Sequence, residues 1–357
     1  MRVPERIARE YELHSYVLNE TDWTELEKKR MKKRILKILK RDGTLNMQAF
    51  PPEYRWDYCS CRLKHGLFKD WDGWEFRSPW MMTFLGMHGV KCPIPRWDGK
   101  PVKHLVVLGE QGLGDEILFL SALPELIVRY GRDCIEWVGY EKLNPVVERS
   151  YGIRTSPRKL LGEITEGDAV MASGDLFQWY RRDKSHFPRK PFLKPDPEKV
   201  EHWRNWLSQY GDRPKIGISW YSRHGYLDPK DLMTEKEGVY FDLQYRPSKK
   251  DVPEPGIPLA KPPFDVGDDF ENLFAFVAAL DSVASVTQTL VHVAGSIGKD
   301  CKAVIPPKNG EVNWYLWYHE CRSLVERNGS WPHLIYGSVK VYDSIESFKN
   351  EPRTSLS

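Results

Sequence analysis

The hydrophobic and polar positions of this 357-residue chain fall into three stretches with different rhythms. In the first, residues 1–95, a helical period surfaces once: Met31, Ile35, Ile38 and Leu39 share one face, and lysines and arginines take the other. Asp22, with Glu25 three positions later, has the form of a capping box opening that helix, and Asp42-Gly43 has the form of its end. Residues 50–95 are rich in Trp, Pro and Gly and resolve into no order of elements. The stretch reads as a mostly helical N-terminal extension.

The second stretch, residues 96–195, opens a different pattern. HLVVLG (104–109) is a short apolar run suited to a buried parallel strand, EQGLGD (110–115) is a turn, and EILFLSALPELIVRYG (116–131) has a helical period. CIEWVGY (134–140) supplies the next strand of a β-α-β unit. The third stretch, residues 196–357, repeats this logic after the proline-spaced linker FLKPDPEKV. A helix over 198–210 leads to the strand KIGISWYS, VYFDLQY reads as a strand and ENLFAFVAALDS as a helix. ASVTQTLVHVAGSIG runs from strand into helix, and KAVIP is the strand after it. The fold class expected is α/β, with two Rossmann-like lobes facing each other across a cleft. The segment 227–263 is a long loop of the kind that is usually functional or disordered.

Composition narrows the partners. With 41% hydrophobic and 29% charged residues and no apolar run near ~20 residues, no membrane span is expected. The N-terminus lacks the apolar core of a secretory signal. Six scattered cysteines form neither a disulfide framework nor paired C-x-x-C knuckles, which fits a reducing, cytoplasmic setting. Net charge is only +3, but nine of the fourteen residues in 28–41 are basic. That run makes Lys29, Lys33, Arg34 and Lys37 candidate nucleic-acid contacts, against the plainer reading of a solvated helix face. The 14 tryptophans suit either carbohydrate stacking or a dense core. Histidines 202, 224, 292, 319 and 333 show no H-x-x-x-H spacing, and neither a metal nor a cofactor is expected.

Four segments resemble the glycosyltransferase region of bacterial tetratricopeptide-linked proteins, related to the heptosyltransferases of lipopolysaccharide synthesis (glycosyltransferase family 9-like). They are HGLFKDWDGWEFR (65–77), RWDGKPVKHLVVLGEQGLGDEILFLSALPEL (96–126), KIGISWYSR (215–223) and FENLFAFVAALDSVASVTQTLVHVAGSIGK (270–299). The second is the most specific, and together they span roughly residues 65–335 in the family's order. The resemblance implies a GT-B fold, an inverting transfer without an obligatory metal, and a nucleotide-sugar donor held mainly by the C-terminal lobe. Two features depart from it: Thr287-Gln288-Thr289 stands where many relatives carry an aspartate followed by threonine, and the N-terminal repeat region is much reduced.

Glycosyl transfer needs an acceptor oxygen made nucleophilic and a leaving diphosphate whose charge is stabilised. Asp115, at the mouth of the expected cleft, is the candidate base, since the related enzymes use the aspartate of this glycine-aspartate turn; the competing role is a helix cap. Glu110 is a second candidate, or a strand-end ion-pair partner. Gly112 and Gly114 are expected to let the backbone turn tightly and approach a ligand. Thr287, Gln288 and Thr289 open a helix and suit a diphosphate cradle, with His292 one turn on, either reaching the same anion or packed in the core. The resemblance places Arg223 near the diphosphate, with Lys230 as its backup, and Gln244 at the donor's base. Trp220 supports the donor pocket or packs between the lobes. The acceptor stays open among glycan, protein and a hydroxylated base of DNA or RNA, and a pair of lobes that binds nucleotide or glycan without transfer is a further alternative.

Overall fold

The computed structural model describes residues 24–38, 59, 63, 71, 74, 93–159, 163–222, 225–246, 252–306 and 329–350, with side chains as far as residue 33 in the first segment. Helix α1 (Glu25–Ile38) is opened by a different capping box from the one expected. Thr24 Oγ1 accepts the Glu27 amide at 3.3 Å, and Glu27 Oε2 accepts the Thr24 amide at 2.8 Å, so the box is shifted two residues from Asp22 and Glu25. Met31 is buried, and Lys29 and Lys33 are exposed. The expected end at Asp42-Gly43 lies outside the described residues.

The first sheet is built from β1 (Leu105–Leu108), β2 (Ile135–Gly139), β3 (Arg154–Pro157) and β4 (Ala169–Ala172), in the order β3-β2-β1-β4 and parallel throughout. β1 is wholly buried because it has a strand on each side, the setting in which an unbroken apolar run such as LVVL is stable. β3, RTSP, pairs only with β2 and is polar, as an edge strand allows. The helical run after β1 is two helices, α2 (Leu113–Leu120) and α3 (Leu123–Tyr130). Pro124 divides them, since proline fits the first turn of a helix but not its interior. Helix α4 (Asn144–Tyr151) stops at Gly152, whose φ of +65° is the left-handed geometry of a helix end. Helix α5 (Asp175–Tyr180) follows β4.

The second sheet follows α6 (Pro197–Leu207), which Asp196 caps by accepting the amides of Glu198 and Lys199. Its strands are β5 (Lys215–Ser219), β8 (Val239–Asp242), β9 (Ser282–Val286), β10 (Cys301–Val304), β11 (Ser330–Pro332) and β12 (Val339–Tyr342), in the order β11-β12-β10-β9-β5-β8. Only β11 is antiparallel. A two-residue hairpin, β6 (Tyr221–Ser222) with β7 (Gly225–Tyr226), hangs from β5. The segment 227–263 contains helix α7 (Pro229–Leu232) and β8, and Ala260 bridges back to Phe241. Helix α8 (Phe270–Ala279) precedes β9, α9 (Thr289–Ser296) follows it, and α10 (Ile345–Lys349) closes the described chain.

Aromatic side chains fill the core. Trp203, Trp206, Phe241, Phe264 and Phe276 pack edge-on or tilted at 5.2–6.1 Å between α6, α8 and the sheet. Trp74, Trp137 and Trp220 are fully buried, so these tryptophans are core residues and not stacking surfaces. Each large apolar side chain so buried contributes about 1.5–3 kcal/mol. Trp71 and Trp74, from the segment ahead of the first sheet, belong to it structurally: their indole N–H groups donate to the Arg181 carbonyl at 3.1 Å and the Gly174 carbonyl at 2.9 Å.

The two sheets touch through α2 and α9, and through polar contacts beside them. Arg149 on α4 pairs with Glu271 on α8, and Lys142 donates to the Gly267 carbonyl at 2.6 Å. The connection from the first sheet to α6 lies along α9, with the Phe192 and Leu193 amides donating to the Ser296 carbonyl.

Candidate functional site

In parallel sheets of this kind ligands bind beyond the carboxyl ends of the strands, where the strand order reverses. That point lies between β1 and β4 in the first sheet and between β5 and β9 in the second. The turn after β1 carries Glu110, Gln111, Gly112 and Asp115. Glu110 is fully buried and accepts the Gly174 amide at 2.6 Å, which ties the end of β1 to the end of β4. Asp115 is the third residue of α2; its Oδ2 accepts the Gly112 amide at 3.1 Å, and it remains partly exposed. The cap and the candidate base are therefore one carboxylate.

The glycines act differently from expectation. Gly112 has an extended backbone, φ −94° and ψ 173°, which any residue adopts. The left-handed residue is Gln111, at φ +61°. Its carbonyl accepts from Arg158 Nη1 at 3.1 Å and from the Tyr140 hydroxyl at 3.3 Å, and these two donors compensate the unfavourable backbone. Gly114 is needed for space: a Cβ there would stand 2.8 Å from the His292 ring. The glycine-aspartate turn of the first sheet and helix α9 of the second are thus in direct contact.

On the other side of that contact, Thr287 ends the β9 segment, Gln288 caps α9 in an extended conformation and Thr289 begins the helix. Thr287 is 2% exposed, and its hydroxyl has no hydrogen-bond partner among the described residues. The first-turn amides of a helix also lack partners one turn back within it, although in α9 the Val291 amide donates to the Gln288 carbonyl at 3.0 Å. A buried hydroxyl beside such amides is a set of donors suited to an anion. His292 is buried, with Nδ1 2.9 Å from the Tyr336 hydroxyl. Burial pushes its pKa down to about 3, so the ring is neutral and brings no positive charge. Tyr336 is held protonated well above the usual range by burial, and then by the nearby Asp115 carboxylate.

Glu116, next along α2, lies in the sequence at the head of an apolar helical run. Its carboxyl is fully buried, and its pKa is raised to about 8 by burial, with Asp115 and Glu110 adding to the rise against the Tyr140 amide and Arg158. Its one sequence signal is a charged residue inside that apolar run.

The other sequence-derived donor residues are placed elsewhere or lie outside the described chain. Gln244 is 3% exposed; its Oε1 accepts from the Ser219 hydroxyl and the Trp220 and Tyr221 amides, and its Nε2 donates to the Tyr221 and Tyr245 carbonyls. Its amide straps the end of β5 to the end of β8 and turns no polar group outward. Trp220 sits in the core of the second sheet, with its indole N–H on the Pro253 carbonyl at 3.0 Å. Lys230 is exposed on α7, and Arg223 lies outside the described residues. On α1 the side chains of Arg34 and Lys37 are likewise outside them. Among the described residues no group of three or more His, Cys, Asp or Glu is arranged to hold a metal ion, and no helix is long and apolar enough to cross a membrane.

Comparison with known proteins gives limited likenesses. No family model matches the chain. It is 27% identical over 302 residues to Protein FlbA of Caulobacter vibrioides, covering 73% of this chain and 50% of FlbA. The chain thus spans about half the length of that curated relative. Among solved structures, the E. coli ADP-heptose LPS heptosyltransferase II superposes with a TM-score of 0.41 at 14% identity, covering 57% of this chain and 84% of that one. The family 9 glycosyl transferase of Veillonella parvula superposes at 0.45 and 13% identity, covering 70% and 88%.

Proposed function

We propose that this chain is a glycosyltransferase that moves a sugar from a nucleotide-sugar donor to an acceptor hydroxyl by inverting displacement, with the two parallel sheets acting as the lobes of a GT-B fold. The observation that carries the reading is the Gly114–His292 contact, which puts the Asp115 carboxylate and the α9 N-terminus on the same junction. The order and spacing of the four sequence segments support it independently.

In this reading Asp115 takes the proton of the acceptor hydroxyl as the oxygen attacks the sugar carbon from the face opposite the leaving nucleotide. The departing diphosphate gathers negative charge, which the α9 amides, the Thr287 hydroxyl and the Thr289 side chain meet as donors. His292, neutral and braced by Tyr336, contributes shape and a neutral polar edge beside Gly114, not charge. No metal is called on for the leaving group.

The test is a panel of UDP-, GDP- and ADP-sugars followed by nucleotide release. General-base catalysis contributes about 10²–10⁴-fold, so Asp115→Ala is expected to lower release by at least about 100-fold. Asp115→Asn keeps an oxygen for the Gly112 amide and is expected to stay folded while losing a similar factor. Donor-dependent thermal stabilisation without turnover would make the protein a binding module. If neither stabilisation nor turnover appears with any donor, the reading is lost.

A further inference from the structure

The turn that presents Asp115 is held by more than its own Gly112–Asp115 hydrogen bond, and the further contacts form one connected group. Glu116 points back from α2 into a slot at the carboxyl ends of β1 and β2. Its carboxyl lies against Gly109, just past β1, and Gly139, the last residue of β2, where a Cβ at either position would collide with it. Both strand ends are glycine where this carboxyl needs room. Glu116 Oε2 accepts the Tyr140 amide at 3.0 Å, while Oε1 has no hydrogen-bond partner among the described residues and stands 3.5 Å from Arg158 Nη2.

Arg158, just past β3, reaches across the sheet end to the carbonyls of Gly109 and Gln111, at 3.2 and 3.1 Å. Its guanidinium lies over the Tyr140 ring, 4.4 Å from the centroid, and the Tyr140 hydroxyl shares the Gln111 carbonyl. The Trp137 indole N–H, beside the same Gly139, is buried without an acceptor among the described residues. The charged or titratable groups facing Glu116 are Arg158 from the β3 end and Asp115 and Glu110 from the turn itself.

We propose that Glu116, Arg158 and Tyr140 are a positioning network that fixes Gln111 in its left-handed conformation and so aims Asp115 at the junction with α9. The aiming of Asp115 as a base rests on the glycosyltransferase reading; the fixing of Gln111 does not. The two ends of the guanidinium compete. While Glu116 is uncharged, Arg158 is committed to the two carbonyls. When Glu116 ionises, the guanidinium and the Trp137 N–H are drawn towards the carboxylate, the Gln111 carbonyl loses its strongest donor, and the turn relaxes.

Two readouts separate the network from the reaction. The first is hydrogen exchange at the Gly112 and Glu116 amides, which donate to Asp115 Oδ2 and the Gly112 carbonyl, in the whole protein, across roughly pH 6 to pH 9 and corrected for intrinsic rates. The native protein is expected to lose protection there as pH rises past about 8, at least tenfold, while the amides of β5 and β9 stay protected. Glu116→Gln, which cannot ionise, is expected to keep the turn protected to the top of that range. Arg158→Gln is expected to lose protection at every pH, and Arg158→Lys to restore it only in part, since one ammonium cannot bridge two carbonyls.

The second readout is the pH profile of nucleotide release with whichever donor turns over. The native enzyme is expected to have an alkaline fall that Glu116→Gln lacks, and Arg158→Gln to lower kcat with little change in donor KM. Equal protection of the turn in native and Arg158→Gln proteins overturns the network, and so does an unchanged alkaline loss of protection in Glu116→Gln. Absence of turnover with every donor would count against the glycosyltransferase reading alone, because the exchange results stand without it.

Discussion

Glu116 shows how one residue carries both a stability signal and a site. Its folded-state pKa is raised from 4.5 to about 8, so the folded protein keeps a proton that the unfolded chain releases. The sign follows: Glu116 favours the folded state fully below about 4.5, and that contribution drains away as pH climbs to about 8. His292 works oppositely, because its pKa is lowered from 6.5 to about 3 and its burial costs stability as pH falls through that window. Glu116→Gln leaves the histidine contribution in place. Chemical denaturation of the two proteins from about pH 5 to about pH 8 should therefore show the variant gaining on the native chain as pH rises. A constant difference would mean that Glu116 does not hold its proton in the folded state.

Between elements, the decisive contact is α2 against α9. A glycine inside a helix ordinarily costs about 1 kcal/mol relative to alanine, so Gly114→Ala should stabilise α2 if nothing lies nearby. The His292 ring lies 2.8 Å from where the methyl would go. Overpacking of this kind costs about 1–3 kcal/mol, and the net expectation is a lower unfolding midpoint together with reduced nucleotide release. A rise in midpoint would show that the two helices do not meet there. Much of the element order was legible in the sequence, because strands with a neighbour on each side must be apolar: β1, β2, β5, β9 and β10 all stand out as runs, and so does the edge strand β8, whose Phe241 is bridged by Ala260. β3 was not, since an edge strand tolerates the polar sequence RTSP. Four-residue β4, AVMA, is too short to tell from a buried helical turn. The split between α2 and α3 was written in Pro124, but the surrounding apolar period obscured it.

At the scale of the whole molecule, Trp71 and Trp74, which precede the first sheet, are part of its core. Trp74 donates to the carbonyl of Gly174 while Glu110 accepts the amide of the same residue, so one residue at the end of β4 is held from both sides. Trp74→Phe keeps a ring in the packed site and removes one of the two donors to that carbonyl, the Phe177 amide at 3.2 Å remaining, at a cost of about 0.5–1.5 kcal/mol. The variant is expected to unfold at lower denaturant, with hydrogen exchange quickened in β4 and β1 before the second sheet responds. Loss of protection confined to the tryptophan segment would make that segment an appendage instead.

The sequence alone determined the alternation of strand, turn and helix in two successive stretches and the residue types at the turns after β1 and β9. All of these follow from local periodicity and from what a buried strand can contain. The tertiary structure decided which turns meet, that Gln111 and not Gly112 takes the left-handed backbone, that Gly114 makes room for His292, and that Gln244 is a strap between strand ends. It also supplied Arg158, Tyr140, Glu116 and Tyr336, which no motif marked. Their roles rest on contacts between residues far apart in the chain, and such contacts are set by sheet register and packing, not by the neighbours of each residue in sequence.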